Sequence, residues 1–105
     1  MTSAAGEGIQ LEFYTSSFCA ACRQTRTVLH HVERMLPRLS LVERDIAAHP
    51  DLAERDNIVA TPTVIIRSPD GAEVRRATGV PSVAQVLHAV ALATDAPAQD
   101  SGERA

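Results

Sequence analysis

The residues of this chain best suited to chemistry are Cys19 and Cys22, its only two cysteines. They stand three positions apart, immediately before a long amphipathic helix pattern. Thiols at this spacing can close a small disulfide, and the free N–H groups at a helix start favour the thiolate, the nucleophilic form of sulfur. The pair therefore predicts thiol–disulfide chemistry, with a zinc-binding or merely buried pair as the alternative.

The helix pattern separates the two thiols. An apolar stripe at helical spacing ends at Pro37, and it comprises Thr25, Val28, Leu29, Val32, Met35 and Leu36. Cys22 precedes Leu29 by seven residues and so shares the inward stripe, whereas Cys19 falls one turn earlier, at the open end of the helix. The spacing predicts an outer thiol at Cys19 and an inner one at Cys22.

The remaining apolar patterns predict the elements that position this pair, in the order β-α-β-α-β-β-α. Strands are expected at 9–15, 39–46, 63–67 and 72–78, and a short helix at 51–57. A capping box at Ser82 and Gln85 opens the last helix. The second strand is expected at an edge because it carries three charged residues.

This order predicts an α/β fold, with a central mixed four-stranded sheet and three helices distributed over both faces. A single domain is expected over residues 9–93. Residues 1–8 and 94–105 lack large apolar periodicity and are predicted to be flexible tails.

Net charge, the N-terminal residues and the cysteine spacing limit the partners and the cellular location that we expect. The net charge of −3 shows no basic surplus, so neither nucleic acid nor a membrane is an expected partner. Residues 1–8 do not resemble a secretory signal. A closely spaced cysteine pair without an export signal predicts a cytoplasmic protein, where such pairs are more often catalytic or metal-binding than structural.

Three features together resemble the thioredoxin superfamily: the segment 13–22, Ala60-Thr-Pro-Thr63, and Gly79. The resemblance implies a cis peptide bond between Thr61 and Pro62, packed beside the disulfide. It also implies that Gly79 and Val80 flank a substrate groove, and that the backbone of Thr61 pairs with an extended substrate segment.

The motif departs from thioredoxins in ways that look more like glutaredoxins or small archaeal thioredoxins. Only 18 residues precede Cys19, so the N-terminal strand and helix of full thioredoxins are expected to be absent. Phe18 replaces the usual tryptophan, either as an exposed partner contact or as a packing residue at the helix start. Phe13 stands where thioredoxins place a buried acid, and Glu12 is expected on the opposite face of its strand.

The resemblance implies a thiol–disulfide oxidoreductase in which Cys19 attacks and Cys22 resolves. No metal and no cofactor is expected beyond the redox-active disulfide itself. The implied partners are disulfide-containing proteins, with thioredoxin reductase or a low-molecular-weight thiol as electron donor, and we expect a monomer.

Two other functions stay open on the sequence alone. The first is a thioredoxin-like binding module in which the cysteines matter little. The second is a zinc-binding domain, to which His30 and His31 could contribute, although helical spacing places His30 in solvent. Arg23 either supports a thiolate electrostatically or is a solvated helix residue.

Overall fold

A mixed four-stranded sheet organises the chain, and its strands lie in the order β2-β1-β3-β4. The computed structural model describes residues 6–95. Its elements are β1 (Gln10–Thr15), α1 (Ala20–Met35), β2 (Ser40–Asp45), α2 (Pro50–Arg55), β3 (Thr63–Arg67), β4 (Glu73–Thr78) and α3 (Val83–Asp95). Strand β1 is parallel to β2 and antiparallel to β3, which is antiparallel to β4. The predicted element order, mixed sheet and edge position of β2 are confirmed.

Strand β1 is central and buried on both faces. Ile9, just before the strand, and Leu11 and Phe13 within it join one hydrophobic core, as the alternation predicted. Glu12 and Tyr14 point to the other face and are also buried, at 4% and 0% exposure. Because the strand is flanked on both sides and covered on both faces, it holds the segment leading to Cys19 firmly in place.

Helices α1 and α3 cover the first face of the sheet. The core there is formed by buried apolar side chains of both helices, of β1 and β3, and of the segment before β2: Ile9, Leu11, Phe13, Cys22, Leu29, Val32, Leu39, Val64, Ile66, Val86, Ala89, Val90 and Ala93. Met35, predicted in the inward stripe of α1, is instead 48% exposed because it is the last residue of the helix. The rest of that stripe is buried or half-buried.

The second face carries α2 and a network of charged side chains. The Tyr14 hydroxyl donates to Asp56 Oδ2 at 2.7 Å, just after α2. Arg67 donates to Glu12 Oε1 at 2.9 Å and to Asp56 Oδ1 at 3.2 Å. Arg44 adds a second contact to Glu12 at 3.3 Å. Helices therefore lie on both faces of the sheet, but the second face is covered largely by ion-paired side chains.

Several element boundaries differ from the predicted ones. Pro50 opens α2, which ends at Arg55, and Asn57 then adopts a left-handed φ of 56°. At the chain ends, residues 6–8 form a turn in which Gly6 O accepts from Ile9 N, and α3 continues to Asp95. The other residues of the predicted tails lie outside the described residues. In the described part, no helix has the length and apolar content to cross a membrane.

Candidate active site

Cys19 is the N-cap residue of α1. Its backbone is extended, with φ −113° and ψ 103°, and its Sγ accepts a hydrogen bond from Cys22 N at 3.0 Å. A helix start leaves several N–H groups without intrahelical partners, and polar side chains usually satisfy one of them. Here the Cys19 sulfur accepts a hydrogen bond from one of these N–H groups, that of Cys22. The same N–H and the helix dipole would stabilise negative charge on this sulfur.

Cys19 and Cys22 are joined by a disulfide bond, with their Cα atoms 5.1 Å apart. Cys22 is 1% exposed and belongs to the core, whereas Cys19 is half-buried at its edge. The predicted outer and inner thiols are therefore found where the helical spacing placed them.

Phe18 is fully exposed, at 101% of its reference area, and has a left-handed φ of 56°. This conformation is unusual for a bulky L residue and costs about 1–2 kcal/mol. Of the two roles left open for Phe18, the structure excludes packing at the helix start. A large apolar ring is held in solvent directly beside Cys19.

The Thr61–Pro62 peptide bond is cis, as the resemblance implied. The Thr61 hydroxyl lies 2.7 Å from the Ser16 hydroxyl, three residues before Cys19. Pro62 is buried, and its carbonyl accepts a hydrogen bond from Gly79 N at 3.0 Å. Two hydrogen bonds thus connect the segment before Cys19, the Thr61–Pro62 bond and the Gly79 loop.

Gly79 and Val80 lead from β4 to α3. Gly79 has φ 85°, and a Cβ built there would meet no atom within 4 Å. Its glycine is therefore required by backbone conformation rather than by space. Val80 is 43% exposed and borders a groove of about 370 Å³ between β4 and α3. Gly79 is thus joined to Pro62 by a backbone hydrogen bond, and the apolar side chain of the next residue, Val80, is partly exposed to solvent.

The interior beside Cys22 holds no carboxylate from β1. Phe13, at the position where thioredoxins are expected to have an acid, is a core residue. Glu12 lies on the opposite face, as predicted, and is bonded to Arg67 and Arg44. The buried polar side chain that follows Cys22 on the inner face of α1 is Thr25, which is 0% exposed.

The other candidate residues lie in solvent. Arg23, His30 and His31 are exposed, and His31 Nδ1 is 3.2 Å from a guanidinium nitrogen of Arg34. Within residues 6–95, no group of three or more His, Cys, Asp or Glu side chains is placed to hold a metal ion.

Two further features near the site are not predicted by the sequence analysis. Ser16 contacts Thr61 through a pairing 45 residues apart, which no local pattern reveals. Val59, three residues before Pro62, is 90% exposed. The short apolar run Ile58-Val59-Ala60, just before the Thr-Pro-Thr motif, is the signal that could have pointed to Val59.

A sequence model of the thioredoxin family matches residues 4–91. The chain belongs to the thioredoxin family. Curated thioredoxins from Chlamydia muridarum and Chlamydia trachomatis are 32% and 30% identical to it over 73 residues, which are 70% of this chain and 71% of each relative.

Solved structures agree on the fold of this thioredoxin-family protein. Chloroplastic thioredoxin z superposes with a TM-score of 0.69 at 25% identity, covering 81% of this chain and 77% of its own. Thioredoxin from Fasciola hepatica superposes with a TM-score of 0.72 at 17% identity, covering 84% and 82%. Family membership and the Cys19–Cys22 bond together support thiol–disulfide oxidoreductase activity. The family in general acts on protein disulfides, works with reductases and typically needs no bound cofactor.

Proposed function

We propose that this protein reduces protein disulfides through a cycle of its Cys19–Cys22 pair. The Cys19 thiolate attacks one substrate sulfur, the substrate S–S bond breaks, and the other substrate sulfur leaves as a thiolate. The Cys22 thiolate then attacks Cys19 Sγ and displaces the second substrate sulfur. The substrate gains two electrons, and its two thiolates take up the protons lost by Cys19 and Cys22. The protein is left with its own disulfide closed.

The observation that carries this proposal is the unequal setting of the two bonded sulfurs. Cys19 lies at the rim of the core and its sulfur accepts the Cys22 N–H, which suits an attacking thiolate. Cys22 is 1% exposed, so a large substrate cannot reach it directly. This arrangement favours attack by the outer sulfur and resolution by the inner one.

The substrate surface in this proposal consists of the residues around Cys19: Phe18, Thr61, Pro62, Gly79 and Val80. The exposed Phe18 ring and the partly exposed Val80 offer apolar contact. The backbone of Thr61 pairs with an extended substrate segment, as in other cases of strand addition. Support comes from the hydrogen bonds that join these three segments into one surface.

For the electron donor, we propose a flavin-containing thioredoxin reductase in preference to a low-molecular-weight thiol, with the protein acting as a cytoplasmic monomer. The relatives that support this choice are thioredoxins. The two donors are distinguished by measuring the rate at which each reduces the oxidised protein. Faster reduction by glutathione than by a reductase would assign a glutaredoxin-like role instead.

The decisive experiment is trapping of the mixed disulfide. Wild-type protein should reduce insulin disulfides when dithiothreitol regenerates it. Cys22→Ser should accumulate a covalent adduct with the protein substrate, visible by non-reducing electrophoresis and mass spectrometry. Cys19→Ser is the matched control and should form none, because the buried Cys22 is then the only thiol. Failure of Cys22→Ser to trap any protein disulfide would refute the assignment of the two roles.

A further inference from the structure

Thr25 follows Cys22 by three residues on the buried face of α1. The two side chains are 0% and 1% exposed. Residues three apart on a helix are surface neighbours, about 5–6 Å between Cβ atoms. Helical side chains also lean toward the N-terminus, so the Thr25 side chain is directed at the turn that carries Cys22.

The Thr25 hydroxyl is buried without a hydrogen-bond partner. Within residues 6–95, the side-chain polar atoms in this condition are Thr25 Oγ1 and Arg44 Nε, and Arg44 lies on the other face of the sheet. An unsatisfied buried hydroxyl is unfavourable, and valine would fill the same volume without that cost. The hydroxyl of Thr27, on the exposed side of α1, by contrast bonds Arg23 O at 3.3 Å.

In the resolving step the Cys22 thiolate requires a hydrogen-bond donor, and the Thr25 hydroxyl can be that donor. Cys22 must lose its proton and carry negative charge before it attacks Cys19, and a thiolate in an apolar core is costly unless it is hydrogen-bonded. The titratable and charged side chains on α1 and on the elements packed against it are paired, exposed, distant or turned away. On the sheet, Glu12, Tyr14, Arg44 and Arg67 lie on the opposite face, and Asp45 is bonded to Ala47 N. On α1 itself, Arg26 is bonded to Glu43 of β2, Glu33 lies about three turns beyond Cys22, and the remaining charged or titratable side chains are exposed: Arg23, His30, His31 and Arg34. His88 of α3 is exposed as well.

We propose that the Thr25 hydroxyl donates a hydrogen bond to the Cys22 thiolate once the disulfide has opened. The inference rests on the proposed function and adds a residue to its second step. In that step the Cys22 sulfur forms a bond to Cys19 Sγ, and the bond from Cys19 to the substrate sulfur breaks. That sulfur leaves as a thiolate and takes up, through solvent, the proton that Cys22 released. The Thr25 hydroxyl stabilises the buried Cys22 thiolate by hydrogen bonding, and it neither gains nor loses a proton.

The first consequence is a shift in redox equilibrium. At a pH high enough for reduced Cys22 to be a thiolate, Thr25→Val removes an unsatisfied hydroxyl from the oxidised form but a hydrogen-bonded one from the reduced form, so it should favour the oxidised form. We expect the equilibrium constant for reduction by dithiothreitol to fall about tenfold. Alkylation of free thiols followed by mass spectrometry measures this ratio without any protein substrate. The same variant should raise the thermal midpoint of the oxidised form relative to that of the reduced form.

The second consequence is a shift in the pH profile of resolution. Release of substrate from a preformed mixed disulfide should reach half its maximal rate at higher pH in Thr25→Val than in wild type. Thr25→Ser retains the hydroxyl and should restore the wild-type profile. Thr27→Val makes the same chemical change on the exposed side and should alter neither measurement.

The outcomes separate this inference from the proposed function. If wild type reduces insulin but Thr25→Val keeps the wild-type equilibrium and pH profile, the Thr25 inference is overturned and the proposed function stands. If wild type reduces no protein disulfide, the proposed function fails, and the dithiothreitol equilibrium still decides the part played by Thr25. Should Thr25→Val not fold, Thr25→Ala removes the same hydroxyl from a smaller side chain and is judged by the same two measurements.

Discussion

The Ser16 hydroxyl lies 2.7 Å from the Thr61 hydroxyl, and this contact joins the segment before Cys19 to the residue before Pro62. Both side chains are half-buried, and 45 residues separate them in the chain. In the proposed function, Thr61 presents its backbone to the substrate while Cys19 attacks. The hydroxyl pair therefore sets the position of the substrate-pairing backbone relative to the attacking sulfur.

Ser16→Ala is expected to weaken substrate positioning. Loss of one such hydrogen bond costs about 0.5–1.5 kcal/mol, so KM for a protein disulfide should rise about threefold while kcat changes little. A double-mutant cycle with Thr61→Val measures the coupling between the two hydroxyls. Ser17→Ala, at the exposed neighbouring position, is the control. Simple addition of the Ser16 and Thr61 effects would show that the contact does not matter for substrate binding.

Phe18→Ala should separate protein substrates from small ones. The ring is fully exposed in the free protein, so its removal should leave folding stability nearly unchanged. Burial of that ring against a protein partner is worth about 1 kcal/mol or more, so KM for insulin should rise about fivefold. The rate with a small aromatic disulfide should stay within about twofold of wild type. Met35→Ala, an exposed apolar residue at the far end of α1, should affect neither substrate.

Local patterns were sufficient to predict the elements and the setting of the two sulfurs. Alternation placed Ile9, Leu11 and Phe13 on one face of β1, and helical spacing placed Cys22 inside and Cys19 at the rim. The cis bond before Pro62 followed from the resemblance to a family, since X–Pro bonds alone differ little in free energy between the two isomers.

Contacts between distant parts of the chain were not predictable in this way. Periodicity assigns a side chain to a face, but it does not say which hydroxyl meets Thr61 or which guanidinium meets Glu12. The second face of the sheet illustrates this limit. Glu12 alternates with apolar residues and Arg67 follows an apolar run, so both resemble solvent-exposed positions. Their side chains alone are nevertheless only 5% and 16% exposed, and they bond each other across neighbouring strands.

Arg67→Met should destabilise the protein strongly. Arg67 bonds Glu12 at 2.9 Å and Asp56 at 3.2 Å, and its loss would leave two buried carboxylates with fewer partners. Breaking a buried ion pair by removing one partner costs about 3–5 kcal/mol. Urea unfolding measures the loss. Arg38→Met removes the exposed contact to Glu7 and should cost less than about 1 kcal/mol. Equal losses for the two variants would contradict the structural role assigned to Arg67.

Tyr14 should give the folded protein a distinct alkaline transition. Burial, followed by the hydrogen bond to Asp56 and the charge on that carboxylate, raises the pKa of Tyr14 from 10.0 to about 12. The side chain is 0% exposed. A raised pKa in the folded state means that the neutral phenol stabilises the fold. This contribution, about 3 kcal/mol, is complete below pH 10 and is lost as the pH rises through about 12.

The composition makes this transition easy to isolate. The chain has one tyrosine and no lysine, and in the oxidised form Cys19 and Cys22 are bonded, so few other groups titrate in this range. Absorbance of the phenolate near 295 nm should show a midpoint well above 10 in the folded protein and near 10 in urea. The free energy of unfolding should fall between pH 10 and pH 12 in wild type and change far less in Tyr14→Phe. A folded-state midpoint close to 10 would mean that the contact with Asp56 does not raise the pKa of Tyr14.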